Sequence, residues 1–218
     1  MSFRLLVCLP TYNEEDSIVL MIKQLRSTGY DFIVCDGFSK DDTAALAKAQ
    51  GVEILARKHK GKGWAIRAGL DYAQANGYSH MATIDCDNTY RVDDIKRLAD
   101  CAENGQYDLV IGERPFECIA WHRRIANQWI SWYTNLLWRS GTRDIVSGLR
   151  IYRVESYVNT LKANSFDLEP RSLALACKKG WRYTSLPIAY GERLGESKAN
   201  LLELLRIMWG ASHEKFTK

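Results

Sequence analysis

Arg4-Leu5-Leu6-Val7-Cys8-Leu9 is an almost unbroken apolar run, and a strand apolar on both faces belongs in the interior of a sheet covered on both sides. Pro10-Thr11-Tyr12-Asn13-Glu14-Glu15 ends it, and Ile18, Met21, Ile22 and Leu25 then recur at helical spacing. Strand-like runs return at residues 31–35, 52–55, 80–84 and 109–111. Helical patterns lie between them, over Ala44, Ala45 and Ala47, over Ala65, Ile66, Ala68 and Leu70, and over Ile95, Leu98 and Ala102. Ser39-Lys40-Asp41-Asp42 fits a capping box for one of these helices, and Gly61-Lys62-Gly63 opens the next. Strands and helices alternating through short connections predict an α/β fold, with a mainly parallel central sheet flanked by helices. At 218 residues, 46% hydrophobic and 26% charged, the chain is large enough to bury one substantial core.

A sheet of this kind binds ligands beyond the carboxyl ends of its strands. Pro10, Tyr12 and Glu14, then Asp36, then Lys60 and Lys62, then Asp85 and Asp87 all fall just after a strand or at a helix start, so they are expected on one rim. Asp85-Cys86-Asp87 is the only Asp-x-Asp in the chain. In an extended backbone its carboxylates point the same way and Cys86 points into the protein. Neighbouring carboxylates repel unless a cation sits between them. Oxygen-only ligation with room for phosphates suits Mg²⁺ or Mn²⁺ rather than zinc; a solvated strand end is the plainer alternative. The Gly-Lys-Gly turn has neither the P-loop spacing nor the dinucleotide fingerprint, which disfavours a nicotinamide oxidoreductase.

Charge divides the chain. Residues 1–112 hold 13 Lys+Arg against 16 Asp+Glu, whereas residues 113–218 hold 17 against 10, with eleven arginines, so the second half is suited to handling an anion. Trp121, Trp129, Trp132 and Trp138 fall within 18 residues. Ile125, Trp129, Trp132, Tyr133, Leu136 and Leu137 form one helical face, which either packs on the core or lies at a membrane surface beside Arg123, Arg124 and Arg139. Helices are expected over 117–139 and 201–212, within one domain whose donor half is 1–112 and acceptor half 113–218. No stretch approaches ~20 consecutive apolar residues, so no bilayer-spanning segment is expected. The first residues lead straight into a strand pattern with no export signal, and the six scattered cysteines read as reduced cytosolic thiols. The histidines (His59, His80, His122, His213) show no metal spacing, and His59 lies near the rim.

Together these stretches resemble glycosyltransferase family 2, whose fold is the nucleotide-binding GT-A sheet. The resemblance rests on Leu9-Pro10-Thr11-Tyr12-Asn13-Glu14-Glu15, Asp36-Gly37-Phe38-Ser39-Lys40-Asp41-Asp42-Thr43, Gly61-Lys62-Gly63 and Asp85-Cys86-Asp87. Asp144-x-x-Ser147-Gly148-Leu149-Arg150, Pro187-Ile188-x-Tyr190 and Arg193-x-Gly195-x-Ser197-Lys198 are similar to the polyprenyl-phosphate sugar transferase branch, typified by dolichol-phosphate mannose synthases. The resemblance implies that Pro10, Tyr12, Glu14 and Asp36 hold the base and ribose of a sugar nucleotide, with Lys62 nearby. Asp85 and Asp87 would hold Mg²⁺ or Mn²⁺ on its diphosphate. Arg114, Arg124 or its neighbour Arg123, Arg193 and Lys198 would bind phosphates, and Ser147, Gly148 and Glu169 would line the sugar pocket. Two adjacent aspartates common in the family are Asp36-Gly37 here, and Thr89 stands where dolichol-phosphate mannose synthases carry a metal-contacting Gln. The transmembrane helices of many relatives are not matched.

The expected reaction is inverting, metal-dependent transfer of a hexose from a nucleotide-diphosphate sugar (GDP-mannose or a UDP-sugar) to polyprenyl or dolichyl phosphate. It would take place peripherally on the cytoplasmic face of a membrane, with a membrane-subunit partner as one means of attachment and no nucleic acid involved. A phosphate monoester, with a second pKa of about 6, is already mostly dianionic at neutral pH and needs positioning rather than a base. A hydroxyl acceptor would need one, for which Asp144 is the candidate, its plainer role being to orient Arg150 or cap a loop. Arg150 and Arg153 flank a strand and read equally well as surface or sheet-edge charges. The rival readings are a soluble or glycan hydroxyl acceptor on the same fold and a catalytically silent nucleotide-binding module.

Overall fold

In the computed structural model, which describes residues 2–55, 61–165, 167–191 and 201–216, the opening apolar run becomes strand β1 (Leu5–Thr11), inside a six-stranded sheet. Helix α1 (Ile18–Ser27) buries Ile18, Met21, Ile22 and Leu25, the stripe its periodicity marks. The alternation continues through β2 (Asp31–Asp36), α2 (Thr43–Ala49), α3 (Lys62–Ala75), β3 (His80–Thr83), α4 (Asp93–Gly105) and β4 (Leu109–Glu113). A 3-10 turn (Phe116–Cys118) leads to α5 (Trp121–Trp138), β5 (Arg150–Arg153), α6 (Val154–Tyr157), α7 (Leu168–Lys179), β6 (Tyr183–Pro187) and α8 (Leu201–Phe216). Leu5, Val7 and Leu9 pack into one apolar cluster with α1 and α4, while Leu6 and Cys8 pack into a second with α3 and α7. Both faces of β1 are therefore covered, as an unbroken apolar strand requires.

The strand order is β2-β1-β3-β5-β4-β6. β1 runs parallel to β2 and β3, β4 runs parallel to β6, and β5 is antiparallel to both its neighbours. Thr11 pairs with Asp36, and Arg150 pairs with both Thr83 and Ile111. The carboxyl ends of β1 to β4 thus share a rim with the start of β5. Because β5 runs against the others, the loop leading into it, residues 144–149, lands where the chain leaves β1, β2 and β3.

Several local expectations are corrected. Residues 52–55 form no strand of their own but a single bridge, Val34 to Ile54, at the outer edge beyond β2. The capping box does not form: the Ser39 hydroxyl and N–H turn back to Asp36, while Asp41 takes the N–H and hydroxyl of Thr43. α5 begins at Trp121 rather than at 117, because Ile119 and Ala120 are extended, and α8 runs on to Phe216.

The aromatic face of α5 does not pack on the core. Ile130, Ser131 and Thr134 face inward, whereas Trp121, Ile125, Trp129, Trp132 and Leu136 are exposed, Trp129 at 63% and Trp132 at 57%. The short side chains let the helix lie close to its neighbours, with Ser131 Oγ accepting the Ile145 N–H at 3.3 Å. Tyr133 and Leu137 turn sideways and are half-buried. Tyr133 Oη meets Ser212 Oγ at 2.6 Å, and Trp138 Nε1 donates to Ala211 O at 2.8 Å, fastening α5 to α8. Across α8, Arg171 Nε meets Glu214 at 2.7 Å, and Trp209 and Phe216 are left exposed.

Arg150 is not a surface charge. It is fully buried at the start of β5 and donates to Ser147 O (2.9 Å), Glu169 O (2.7 Å), Ser172 Oγ (2.8 Å) and Ile145 O. One guanidinium so joins the loop before β5 to the first turn of α7. Arg153 is half-buried and pairs with Asp108 at 3.1 Å. Replacing Arg150 by Met leaves several carbonyls unsatisfied in a dry site, at about 1–3 kcal/mol each. Arg150→Met should lower stability by roughly 3 kcal/mol or more, read as a drop in the urea midpoint at unchanged m-value.

His80 is buried at the start of β3, stacked on Phe3 and bonded through Nδ1 to Ser79 Oγ at 2.9 Å. Burial first, and Arg153 second, push its pKa down from 6.5 to about 4. Between those values the unfolded chain holds a proton that native His80 refuses, so stability falls as pH drops from 6.5 towards 4. This accounts for a loss of up to about 3 kcal/mol. Urea titrations across that window should show the loss in the wild type and a flatter profile in His80→Gln.

Candidate active site

The first part of the site is the pair of turns leaving β1 and β2. Asp36 Oδ1 accepts the hydroxyls of Thr11 (3.3 Å) and Ser39 (2.5 Å), and Oδ2 accepts the Ser39 N–H (3.1 Å). Gly37 N–H donates to Thr11 O at 2.7 Å, closing the strand ends together. Asn13 takes a left-handed φ of 52° and bridges to the other turn, donating its N–H to Ser39 Oγ and accepting the Lys40 N–H. Glu14 N–H donates to Thr43 Oγ1 at 2.7 Å. Pro10 and Glu14 are half-buried and Tyr12 is exposed beside them. The structure thus brings Pro10, Tyr12, Glu14 and Asp36 to one end of the rim.

The centre of the site is an ammonium between two carboxylates. Lys62 Nζ lies 2.7 Å from Asp85 Oδ1 and 2.6 Å from Glu169 Oε1. Burial alone would depress this ammonium, but Asp85 and Glu169 outweigh it and hold the pKa above its ordinary value. Glycines make the approach possible. A Cβ on Gly63 would lie 2.6 Å from the Ala163 carbonyl carbon, and one on Gly61 would strike Asn164 O. The start of α3 is thereby pressed onto the segment leading into α7. A Cβ on Gly148 would strike the Asp85 carboxylate, so only glycine lets the 144–149 loop close over it.

The aspartate pair departs from simple alternation. β3 ends at Thr83, the chain bends at residues 86–88, and Asn88 has a φ of 62°. Cys86 points into the core as expected, and Asp85 is half-exposed, but Asp87 is buried. Asp87 Oδ1 accepts both the N–H (3.1 Å) and the hydroxyl (2.5 Å) of Thr89. Thr89 therefore fixes the rotamer of Asp87.

Beyond Gly148 the rim carries two tyrosines and a buried Arg–Asp pair. Gly148 N–H donates to Tyr90 Oη at 2.8 Å, and Thr83 Oγ1 donates to Gly148 O at 2.9 Å. Tyr90 is buried, which raises its phenol pKa, and it packs edge-on against Tyr190 at 5.2 Å. Arg114 lies over the Tyr190 ring and grips Asp144 through Nε (2.6 Å) and Nη2 (2.8 Å), with its own N–H adding a third bond. Burial opposes the Arg114 charge, but Tyr90 and Asp144 hold it firmly. Asp144 is fully buried, so its partner is Arg114 rather than Arg150, and it is engaged in orienting that guanidinium. Ser147 is buried next to Gly148, and among the described residues its hydroxyl has no hydrogen-bond partner.

Glu169, Lys62, Asp85 and Gly148 are joined by direct contacts, Gly148 bonds to Tyr90 beside Arg114 and Asp144, and Asp36, Asp87 and Ser147 lie at strand ends and loops of the same rim. Arg124 is exposed in the first turn of α5, outside these buried pairs. Arg193, Lys198, Lys60 and His59 lie outside the described residues. Sequence reasoning missed Tyr90, and it noticed Arg150 and Thr89 without their contacts, reading Arg150 as a motif residue or strand-flanking charge and Thr89 only by its position after the aspartate pair. All three act through contacts made by the fold. The donor set fits a hard divalent ion. Two carboxylates from one short loop, the half-exposed one already drawing a cation, match ions that complete their shell with ligand phosphates and water.

A model of glycosyl transferase family 2 matches residues 6–160. Glycosyltransferase AglJ of Haloferax volcanii is 32% identical over 204 residues, spanning 89% of this chain and 66% of that protein. Polyprenol monophosphomannose synthase of Mycolicibacterium smegmatis is 29% identical, spanning 89% of this chain and 80% of its own length. Among solved structures, glucosyl-3-phosphoglycerate synthase from Mycobacterium tuberculosis, in complex with Mn²⁺, UDP and glucosyl-3-phosphoglycerate, shares the fold at a TM-score of 0.80. It is 18% identical, and the match covers 98% of this chain and 80% of that one. The family match takes in the strands and turns that carry the acid rim, and the chain is a member of glycosyl transferase family 2.

Proposed function

We propose that this enzyme transfers a hexose from a nucleotide-diphosphate sugar, GDP-mannose or a UDP-sugar, to polyprenyl phosphate at a membrane surface, inverting the anomeric carbon. The acceptor class is supported by relatives named polyprenol monophosphomannose synthase and, from Micrococcus luteus, undecaprenyl-phosphate mannosyltransferase. The observation that carries it is Asp144. Buried, with both oxygens held by Arg114, it is poorly placed to deprotonate an alcohol, whereas a phosphate acceptor needs no base.

In this reading residues 1–112 form the donor half and 113–218 the acceptor half of one domain. Pro10, Tyr12, Glu14 and Asp36 hold the base and ribose, and Ser147, Gly148 and Glu169 border the sugar. Asp85 and Asp87 hold Mg²⁺ or Mn²⁺, which when bound neutralises charge on the leaving diphosphate. Arg114 uses two side-chain N–H groups on Asp144 and aims the remainder at a phosphate. Arg124, Arg193 and Lys198 are assigned to the same anion. An acceptor phosphate oxygen attacks the anomeric carbon as the bond to the diphosphate breaks, and the electron pair leaves on the diphosphate oxygen. Fixed guanidinium groups favour that charge shift without reorganising.

The exposed stripe of α5, with Trp209 on α8, supports peripheral attachment to a membrane, which this reading puts at the cytoplasmic face. Tryptophans beside Arg123, Arg124 and Arg139 suit an interface of headgroups and acyl chains. No helix among the described residues is long and apolar enough to cross a membrane.

Incubation with GDP-mannose or UDP-glucose, Mg²⁺ and a polyprenyl phosphate should yield a glycolipid, followed by thin-layer chromatography of labelled product. Asp87→Asn and Arg114→Met should each cut the rate by roughly 10²-fold or more, whereas Asp144→Asn should be milder than Arg114→Met. An Asp144→Asn enzyme that binds donor normally yet makes no product would instead point to a hydroxyl acceptor. In flotation with anionic vesicles, the wild type should rise with the lipid, and Trp129→Ser/Trp132→Ser should lose most of that binding with little change in melting temperature.

A further inference from the structure

The more exposed aspartate of the pair already has a cation on it. Lys62 Nζ sits 2.7 Å from Asp85, and the lysine side chain is only 13% exposed. It cannot simply swing away, because it is also the ion partner of Glu169 at 2.6 Å, and the Glu169 side chain is 5% exposed. Withdrawing the ammonium would leave a buried carboxylate unpaired, which is strongly unfavourable. The close approach of Gly61 and Gly63 to residues 163–164 fixes where the lysine begins, so its position is set by the backbone.

We propose that Lys62 is a built-in counter-ion that keeps the Asp85–Asp87 pair from taking up a divalent ion until a nucleotide diphosphate binds. This rests on the reading of Asp85 and Asp87 as metal ligands and adds an order to it. A divalent ion approaching Asp85 alone is repelled by the ammonium on the same carboxylate. A diphosphate brings its own negative charges and oxygen donors, which offset that repulsion and complete the coordination shell. Among the described residues, no group of three or more His, Cys, Asp or Glu side chains is placed to hold an ion. Metal and nucleotide therefore bind as a coupled pair, which disfavours capture of free ions by an empty enzyme.

The test is direct titration with Mn²⁺ at neutral pH, following the free-ion EPR signal, with and without UDP or GDP. The wild type should bind Mn²⁺ alone weakly and at least about tenfold more tightly with a nucleotide diphosphate. Lys62→Gln keeps a hydrogen-bond donor for Glu169 but removes the charge. Lys62→Met/Glu169→Gln removes the buried pair together, so no carboxylate is stranded. Both should bind Mn²⁺ alone at least about tenfold more tightly than the wild type and gain less from nucleotide. Glu169→Gln by itself leaves Lys62 wholly to Asp85 and should show no such gain. If the folded Lys62 variants bind Mn²⁺ alone no better than the wild type, while nucleotide still tightens wild-type binding, the counter-ion role is overturned and the metal site stands. If the wild type binds no Mn²⁺ even with either nucleotide, the metal reading and the counter-ion role fall together.

Discussion

The Lys62 ammonium between Asp85 and Glu169 is the contact around which the rest of the site is arranged. It joins the start of α3, the loop after β3 and the first turn of α7. Those elements are far apart in sequence, and without the cation the buried Glu169 carboxylate would lose its ion partner, which is strongly unfavourable. The surrounding glycines follow from that requirement. Gly61 and Gly63 let the helix start touch the segment before α7, and Gly148 lets the opposite loop close over Asp85.

From Asp85 a line of contacts crosses the rim. Gly148 lies against Asp85 and donates to Tyr90, Tyr90 neighbours Arg114 and Tyr190, and Arg114 grips Asp144. The antiparallel direction of β5 makes this possible. A parallel strand there would deliver residues 144–149 to the opposite edge of the sheet, away from the acid pair. Arg150 then locks that loop to α7, so the acidic and cationic ends of the rim are positioned by one buried network.

The α/β alternation was legible in the sequence because strands covered on both faces leave unbroken apolar runs and the helices keep a clear stripe. The rim was legible for the same reason, since strand ends locate it. What could not be read was anything decided by a partner distant in the chain. Arg150 looks like any strand-flanking arginine until α7 supplies its acceptors, and Asp144 looks like a base until Arg114 takes both its oxygens. Residues 39–42 satisfied a helix-capping pattern, yet Asp36 competed for Ser39 and won. The bend after β3 likewise depends on Thr89 bonding to Asp87, which no strand periodicity encodes.

The orientation of α5 follows from the same logic applied to packing. A helix with six large apolar residues on one stripe would ordinarily bury them, since each Trp removed from water contributes several times what a Ser does. Here Ser131 and Thr134 are buried while Trp129 and Trp132 are exposed, so packing among the described residues does not account for that part of the stripe. Ser131 is also the residue through which α5 holds Ile145, inside the loop that carries Asp144, Ser147 and Gly148. The 144–149 loop thereby ties the rim to the helix that carries the exposed apolar stripe, the fixed relation that the proposed acceptor, an anionic head on an apolar tail, would need.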